Sequence, residues 1–118
     1  MYRLALLAIL FSAMPAMAEQ FSIRCDRGAH YFLTFDTSTN RMISETIGGG
    51  TYRGQIKEVS ESEIRFVMLV GGSTRPDLFF MRKEGRVDVQ DGSERSVTLE
   101  HCVPAPLRDV LGSWDRWG

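Results

Sequence analysis

The sequence predicts an all-β fold: an antiparallel eight-stranded meander closing into a small barrel or a compact sandwich, with a short C-terminal helix. Three observations predict it. From residue 21 onward, short runs rich in β-branched and aromatic residues are separated by clusters of Gly, Asp, Asn and Ser. The connections between runs are too short for a crossover helix, so successive strands pair antiparallel. Within several runs apolar and polar residues alternate with period two, which gives a strand one dry and one wet face.

The first 18 residues read as a cleaved signal peptide and are set apart from the fold. Arg3 supplies a positive start, Leu4 to Phe11 an apolar run, and Ala16-Met17-Ala18 a small-x-small cleavage site ahead of Glu19. The apolar run is shorter than the ~20 residues a membrane-spanning helix needs. Cys25 follows a strand-like run and not the apolar stretch directly, which argues against a lipid anchor. A soluble mature protein, periplasmic or secreted and without a membrane anchor, is expected.

The elements follow in order over 19–103. Phe21 to Cys25 alternates and ends at Asp26-Arg27-Gly28. Tyr31 to Asp36 is aromatic-rich, and Thr37 to Asn40 turns it into Arg41 to Ile47. Gly48-Gly49-Gly50 breaks that run before Thr51 to Val59, where Tyr52, Gly54 and Ile56 oppose Arg53, Gln55 and Lys57. Ser60-Glu61-Ser62 turns into Glu63 to Val70, the most apolar strand. The loop Gly71 to Pro76 leads to Asp77 to Lys83. Glu84-Gly85 and Asp91-Gly92 are hairpin signals around Arg86 to Gln90, in which Val87 and Val89 oppose Arg86 and Asp88. Glu94 to Val103 is the eighth strand, with Val97 and Leu99 inward. A barrel is preferred because closure hides both edges of a meander and makes its first and last strands neighbours.

In 104–118 the pattern changes. Pro104-Ala105-Pro106 stops the last strand, and Leu107, Val110, Leu111 and Trp114 fall at helical spacing. The expected element is a short helix covering one open end of the β body. Both tryptophans, Trp114 and Trp117, lie in this tail, which makes them candidate contacts for a partner.

The chain carries 14 basic and 15 acidic residues; with Arg3 removed, 13 basic residues remain and the net charge is −2. That balance argues against nucleic acid or an anionic membrane as partner. Of the basic residues only Lys57 and Lys83 are lysines, an excess of arginine read first as compositional. Cys25 and Cys102 form an even pair, and in an oxidising compartment they are expected to be joined. The chain-entropy model values closure of such a loop at ~4.5 kcal/mol. A metal site from Cys25, His30, His101 and Cys102 is the alternative. It is disfavoured because His101 and Cys102 are neighbours and point to opposite faces of a strand.

No cofactor, metal site or catalytic residue is assigned. Neither histidine accompanies a nucleophile motif, and Glu58, Glu61 and Glu63 read as a solvated acidic turn. Gly48-Gly49-Gly50 precedes a strand and not a helix, so it is no phosphate loop. The leading expectation is a monomeric, non-enzymatic module that binds a protein partner in the periplasm through loop tips. Candidate loop residues are Gly48, Gly49, Gly50 and Tyr52 on one side and Gly71, Gly72 and Arg75 on the other. The alternative is a carrier of a small apolar ligand in the barrel interior. Large inward side chains such as Phe66, Phe79, Phe80 and Met81 favour a filled interior instead.

The opening cysteine strand FSIRCDRG, the aromatic strand YFLTFD and the run LFFMRKEGRVDV before a terminal cysteine strand resemble the periplasmic inhibitors of C-type lysozyme. They are equally similar to other small secreted proteobacterial β-proteins. The inhibitors are small eight-stranded barrels with a comparable end-to-end disulfide, so the resemblance implies that architecture and an inhibitor-like role. That family places a Ser-Gly-containing loop in the lysozyme active site. The corresponding stretches here, Gly48 to Tyr52 and Ser60-Glu61-Ser62, depart from it, and no inhibitory residue is carried over.

Overall fold

Alternation and turn chemistry lay the chain out as strands. The computed structural model describes residues 19–26, 30–69, 76–96 and 101–116. The strands are β1 (Gln20–Asp26), β2 (His30–Asp36), β3 (Arg41–Thr46), β4 (Thr51–Val59) and β5 (Glu63–Met68). They continue as β6 (Leu78–Met81), β7 (Arg86–Asp91), β8 (Glu94–Ser96) and β9 (His101–Ala105). All pair antiparallel in one sheet of order β8-β7-β6-β5-β4-β3-β2-β1-β9. The signal peptide and the Gly71, Gly72, Arg75 and Trp117 positions lie outside the described residues. Among the described residues no helix is long and apolar enough to cross a membrane.

Of the run Glu94 to Val103, expected as one strand, the described ends form β8 and β9, while Val97 and Leu99 lie outside the described residues. β8 flanks β7 and β9 flanks β1, at opposite ends of the strand order. Ser96 and His101 are nevertheless only five Cα steps apart, a reach of at most about 18 Å. The edges of a flat sheet of this size would stand nearly 40 Å apart, at ~4.8 Å per strand. The sheet therefore curls, into a half-barrel. Its two flanks touch where the Cys102 N–H donates to the Gly85 carbonyl at 2.7 Å. Gly85 makes this approach with φ at +65°, and a Cβ there would lie 2.7 Å from the Cys102 oxygen.

First and last strands are neighbours, as expected of the meander. Cys25 stands directly opposite Cys102, their Cα atoms 4.1 Å apart and their sulfurs joined. Around this tie the concave face collects Ile23, Leu33, Phe35, Met42, Ile64 and Phe66, with Phe80 and Val87 from the far side of the curl. Phe35 links the two halves. Its ring meets Phe66 edge-on at 5.4 Å, stacks on Phe80 at 5.8 Å and on Phe21 at 5.2 Å. Each such side chain contributes ~1.5–3 kcal/mol on burial. A bulge in β4 between Ile56 and Glu58 puts both Ile56 and Val59 on the core side, three positions apart.

Two expectations about faces are corrected. Asp88, assigned to a wet face, is buried, held there by Arg86, whose Nε donates to its carboxylate at 2.9 Å. Met42 and Ile43 are adjacent in β3 yet both buried, as is the whole stretch Leu33–Asp36 of β2. The reason is the tail. It forms no α-helix, only a 3-10 turn over Leu111–Arg116, and it lies across the convex wall of the sheet rather than over an open end. Arg108 N–H donates to Ser22 Oγ at 3.0 Å, and that hydroxyl also hydrogen-bonds Thr34 Oγ1 at 2.7 Å. Leu107, expected on a buried helical face, precedes the turn and is 54% exposed.

Candidate functional site

Strand direction decides which loops share an end of the curl. In the β3–β4 and β4–β5 registers, Thr51 sits opposite Glu45 and Gly54 opposite Met68. The β3–β4 turn and the end of β5 therefore lie on the same rim. β6 starts there too, since Leu78 faces Phe66, as do the end of β7 and the β7–β8 turn. The end of β1 and the start of β2 join them, because Asp26 pairs with His30. The two loops singled out in the sequence are thus anchored on one rim, although Gly71, Gly72 and Arg75 themselves lie outside the described residues.

The β3–β4 turn is built from local hydrogen bonds. Gly49 N–H donates to Thr46 O at 3.0 Å, Thr46 N–H to Gly50 O at 3.1 Å, and Ile47 N–H to His30 O at 3.3 Å. Gly48 takes φ +76°, a backbone setting that glycine adopts freely. Ile47, in this turn, is 58% exposed, and Tyr52, on the strand that follows it, 38%. The Tyr52 ring lies against Gly50, where its Cζ would sit 2.6 Å from any added Cβ. Tyr52 is opposite Ser44, on the concave side, so the ring stands at the mouth of the curl.

Trp114 sits elsewhere, on the convex wall. Its Nε1–H donates to Gly54 O at 3.3 Å. The guanidinium groups of Arg41 and Arg53 stack over its ring at 4.6 and 4.7 Å. Further along the tail, Arg108 lies over the Phe32 ring at 4.5 Å. Its Nε and Nη2 donate to the two oxygens of Glu45 at 3.1 and 3.2 Å. Hydrogen bonding and charge from Glu45 raise the Arg108 pKa above its ordinary value. Asp88 does the same for Arg86, again chiefly by hydrogen bonding. Between Phe32 and Pro106–Val110 the tail leaves a solvent-open cleft of about 420 Å³.

The disulfide consumes both thiols of the alternative metal set. Of its histidines, His30 Nδ1 is hydrogen-bonded to Asp26, and His101 stands opposite that aspartate on the other side. Among the described residues, no group of three or more His, Cys, Asp or Glu is placed to hold a metal. Asp36 is displaced from the ordinary carboxylate value. Burial alone pushes its pKa up, but hydrogen bonds from the Ser38 hydroxyl, the Gln20 amide, the Ser38 N–H and Thr39 hold it below the usual carboxylate value.

Sequence reasoning did not find Phe32, Arg41, Glu45, Arg53 or Arg108 as partners of the tail. The arginine excess was the available signal. Guanidinium groups cover rings at several places besides Trp114, closest at Arg95 over Phe79, 3.5 Å, a packing use that lysine serves less well. Comparison with family models, with curated proteins and with solved structures gives no match.

Proposed function

We propose that this protein is a non-enzymatic interaction module of the periplasm or extracellular space, gripping a protein partner with the loops of one rim. The observation that carries this reading is the convergence of the Gly48–Tyr52 turn and the anchors of the β5–β6 loop on one rim, with Ile47 and Tyr52 exposed there. Loops held on a stiff, disulfide-tied sheet are where binding residues concentrate, and an exposed tyrosine on the strand leaving the turn suits an interface anchor. The Cys25–Cys102 bond fits an oxidising, extracytoplasmic compartment, in keeping with the signal-peptide pattern of residues 1–18.

On this reading the sheet closes fully into a barrel, the Gly85–Cys102 hydrogen bond being part of the seam, and the protein works as a monomer. An inhibitor-like action, with a loop entering a partner's cleft, follows from the resemblance to the lysozyme inhibitors. The ring contacts of Phe35 with Phe21, Phe66 and Phe80 favour this reading over a carrier with an open interior. The test is affinity capture from an envelope extract with the wild type and with an Ile47→Ser/Tyr52→Ala variant of equal thermal stability. A specific protein captured by the wild type and lost with the variant is expected. Equal capture by both would exclude this rim.

A further inference from the structure

We propose that Arg41 and Arg53, gathered around Trp114 on the convex wall, form a binding site for an oxyanion, a phosphate or carboxylate group of a ligand. Arg65, Arg82, Arg86, Arg95 and Arg108 each have a carboxylate within ion-pair distance. Among the described residues Arg41 and Arg53 have none, and no side-chain hydrogen bond joins them to the protein. Asp36, directly opposite Arg41 in the β2–β3 register, is already committed to Ser38 and Gln20.

These two cations are also held close together. β3 and β4 put Ile43 opposite Arg53 and Arg41 opposite Gln55, so the arginines are diagonal neighbours on one face of the sheet. The Trp114 ring keeps both guanidinium groups within 4.7 Å of its centroid. The Gly54 carbonyl fixes the indole N–H at 3.3 Å, so the ring cannot turn without losing that bond. An aromatic face neutralises no charge. It orients the guanidinium planes and leaves their terminal Nη groups without an acceptor among the described residues, and preorganised pairs of this kind favour bidentate binding of oxyanions.

The second observation is an orphan donor. Arg53 Nε is shielded and has no acceptor. Arg65 Nε is shielded and without an acceptor in the same way, but the other nitrogens of Arg65 are spoken for by Glu58 at 3.2 Å and Asp77 at 4.0 Å. The two sites thus differ in the missing counter-anion and in the Trp114 ring that Arg53 shares with Arg41. Arg65 is the internal control.

The experiment records ¹⁵N–¹H resonances of the arginine Nε groups and tryptophan emission on the oxidised full mature chain. Inorganic phosphate, acetate and chloride are titrated at constant ionic strength. Saturable movement of the Arg41 and Arg53 Nε resonances with phosphate or acetate is expected, with Arg65 Nε unmoved and chloride without effect. Phosphate alone would assign a tetrahedral anion, acetate alone a planar carboxylate. Phosphatidylglycerol vesicles, against phosphatidylcholine vesicles, separate a lipid headgroup from a free phosphate as source. Arg53→Gln should weaken binding by about tenfold or more, the loss of one charge-assisted pair, with its melting curve showing that the fold persists. Equal movement with chloride, movement shared by Arg65, or unchanged affinity in an Arg41→Gln/Arg53→Gln variant would overturn the proposal.

Discussion

Between Met42 on the concave side and Trp114 on the convex side, β4 has room only for glycine at position 54. A Cβ there would collide with the Met42 sulfur and lie 2.8 Å from the Val67 carbonyl. The sulfur belongs to a core side chain and the carbonyl to the next strand, so neither gives way cheaply. Gly54→Ala should lower stability by about 1–3 kcal/mol through overpacking, measured as a shift of the urea midpoint with unchanged slope. A neutral substitution would mean that Met42 has another rotamer available. Asp36 acts at the same scale through pH. Its pKa is lower in the folded protein than in the unfolded chain. Its contribution is therefore fully present above about pH 4 and is lost as pH falls through the folded value. Asp36→Asn should flatten the acid limb of the stability profile while leaving its dependence around neutrality unchanged.

At the scale of elements, the tail is held by stacking more than by its ion pair. Trp114 combines two guanidinium contacts, each worth ~0.5–1 kcal/mol, with one hydrogen bond of similar value. The Arg108–Glu45 pair is screened by solvent and contributes at most about 1 kcal/mol. Trp114→Ala should therefore cost about 2 kcal/mol, and Glu45→Gln, which removes the ion pair and keeps the Arg108–Phe32 stacking, clearly less, read from chemical denaturation. A larger loss for Glu45→Gln would reverse that ranking. This element was also the hardest to read from sequence. Leu107, Val110, Leu111 and Trp114 keep helical spacing, but Pro106 and Gly112 bracket a segment too short to sustain an α-helix against its nucleation cost. Its anchors, Arg41 and Arg53, belong to β3 and β4, where alternation marks them only as wet-face residues. The strands themselves were legible because turn residues such as Gly48 and Gly85 and the alternation of β4 act locally. Where the tail covers the wall, at Thr34 and Ile43, alternation stopped reporting burial, since both faces are dry. The last run misled for a different reason: its two ends pair with different strands, and no local pattern records a change of partner.

The whole molecule is a curled antiparallel sheet with its ends tied. Cys25–Cys102 joins the first and last strands, the Gly85–Cys102 hydrogen bond joins the flanks, and Arg82 reaches from the β6–β7 turn to Glu19 at the start of β1. Such ties stiffen the body, and the disulfide braces the rim whose turns, with Ile47 and Tyr52 exposed, are the proposed surface for recognition. On the convex wall the tail packs over β2 and β3. The most direct test places a photo-crosslinking residue singly at Ile47, at Tyr52 and at the wall position Gln55, and irradiates the exported protein in its own compartment. Adducts of one partner from Ile47 and Tyr52, and none from Gln55, are predicted. Adducts from Gln55 alone would contradict the account and move recognition from the rim to the wall.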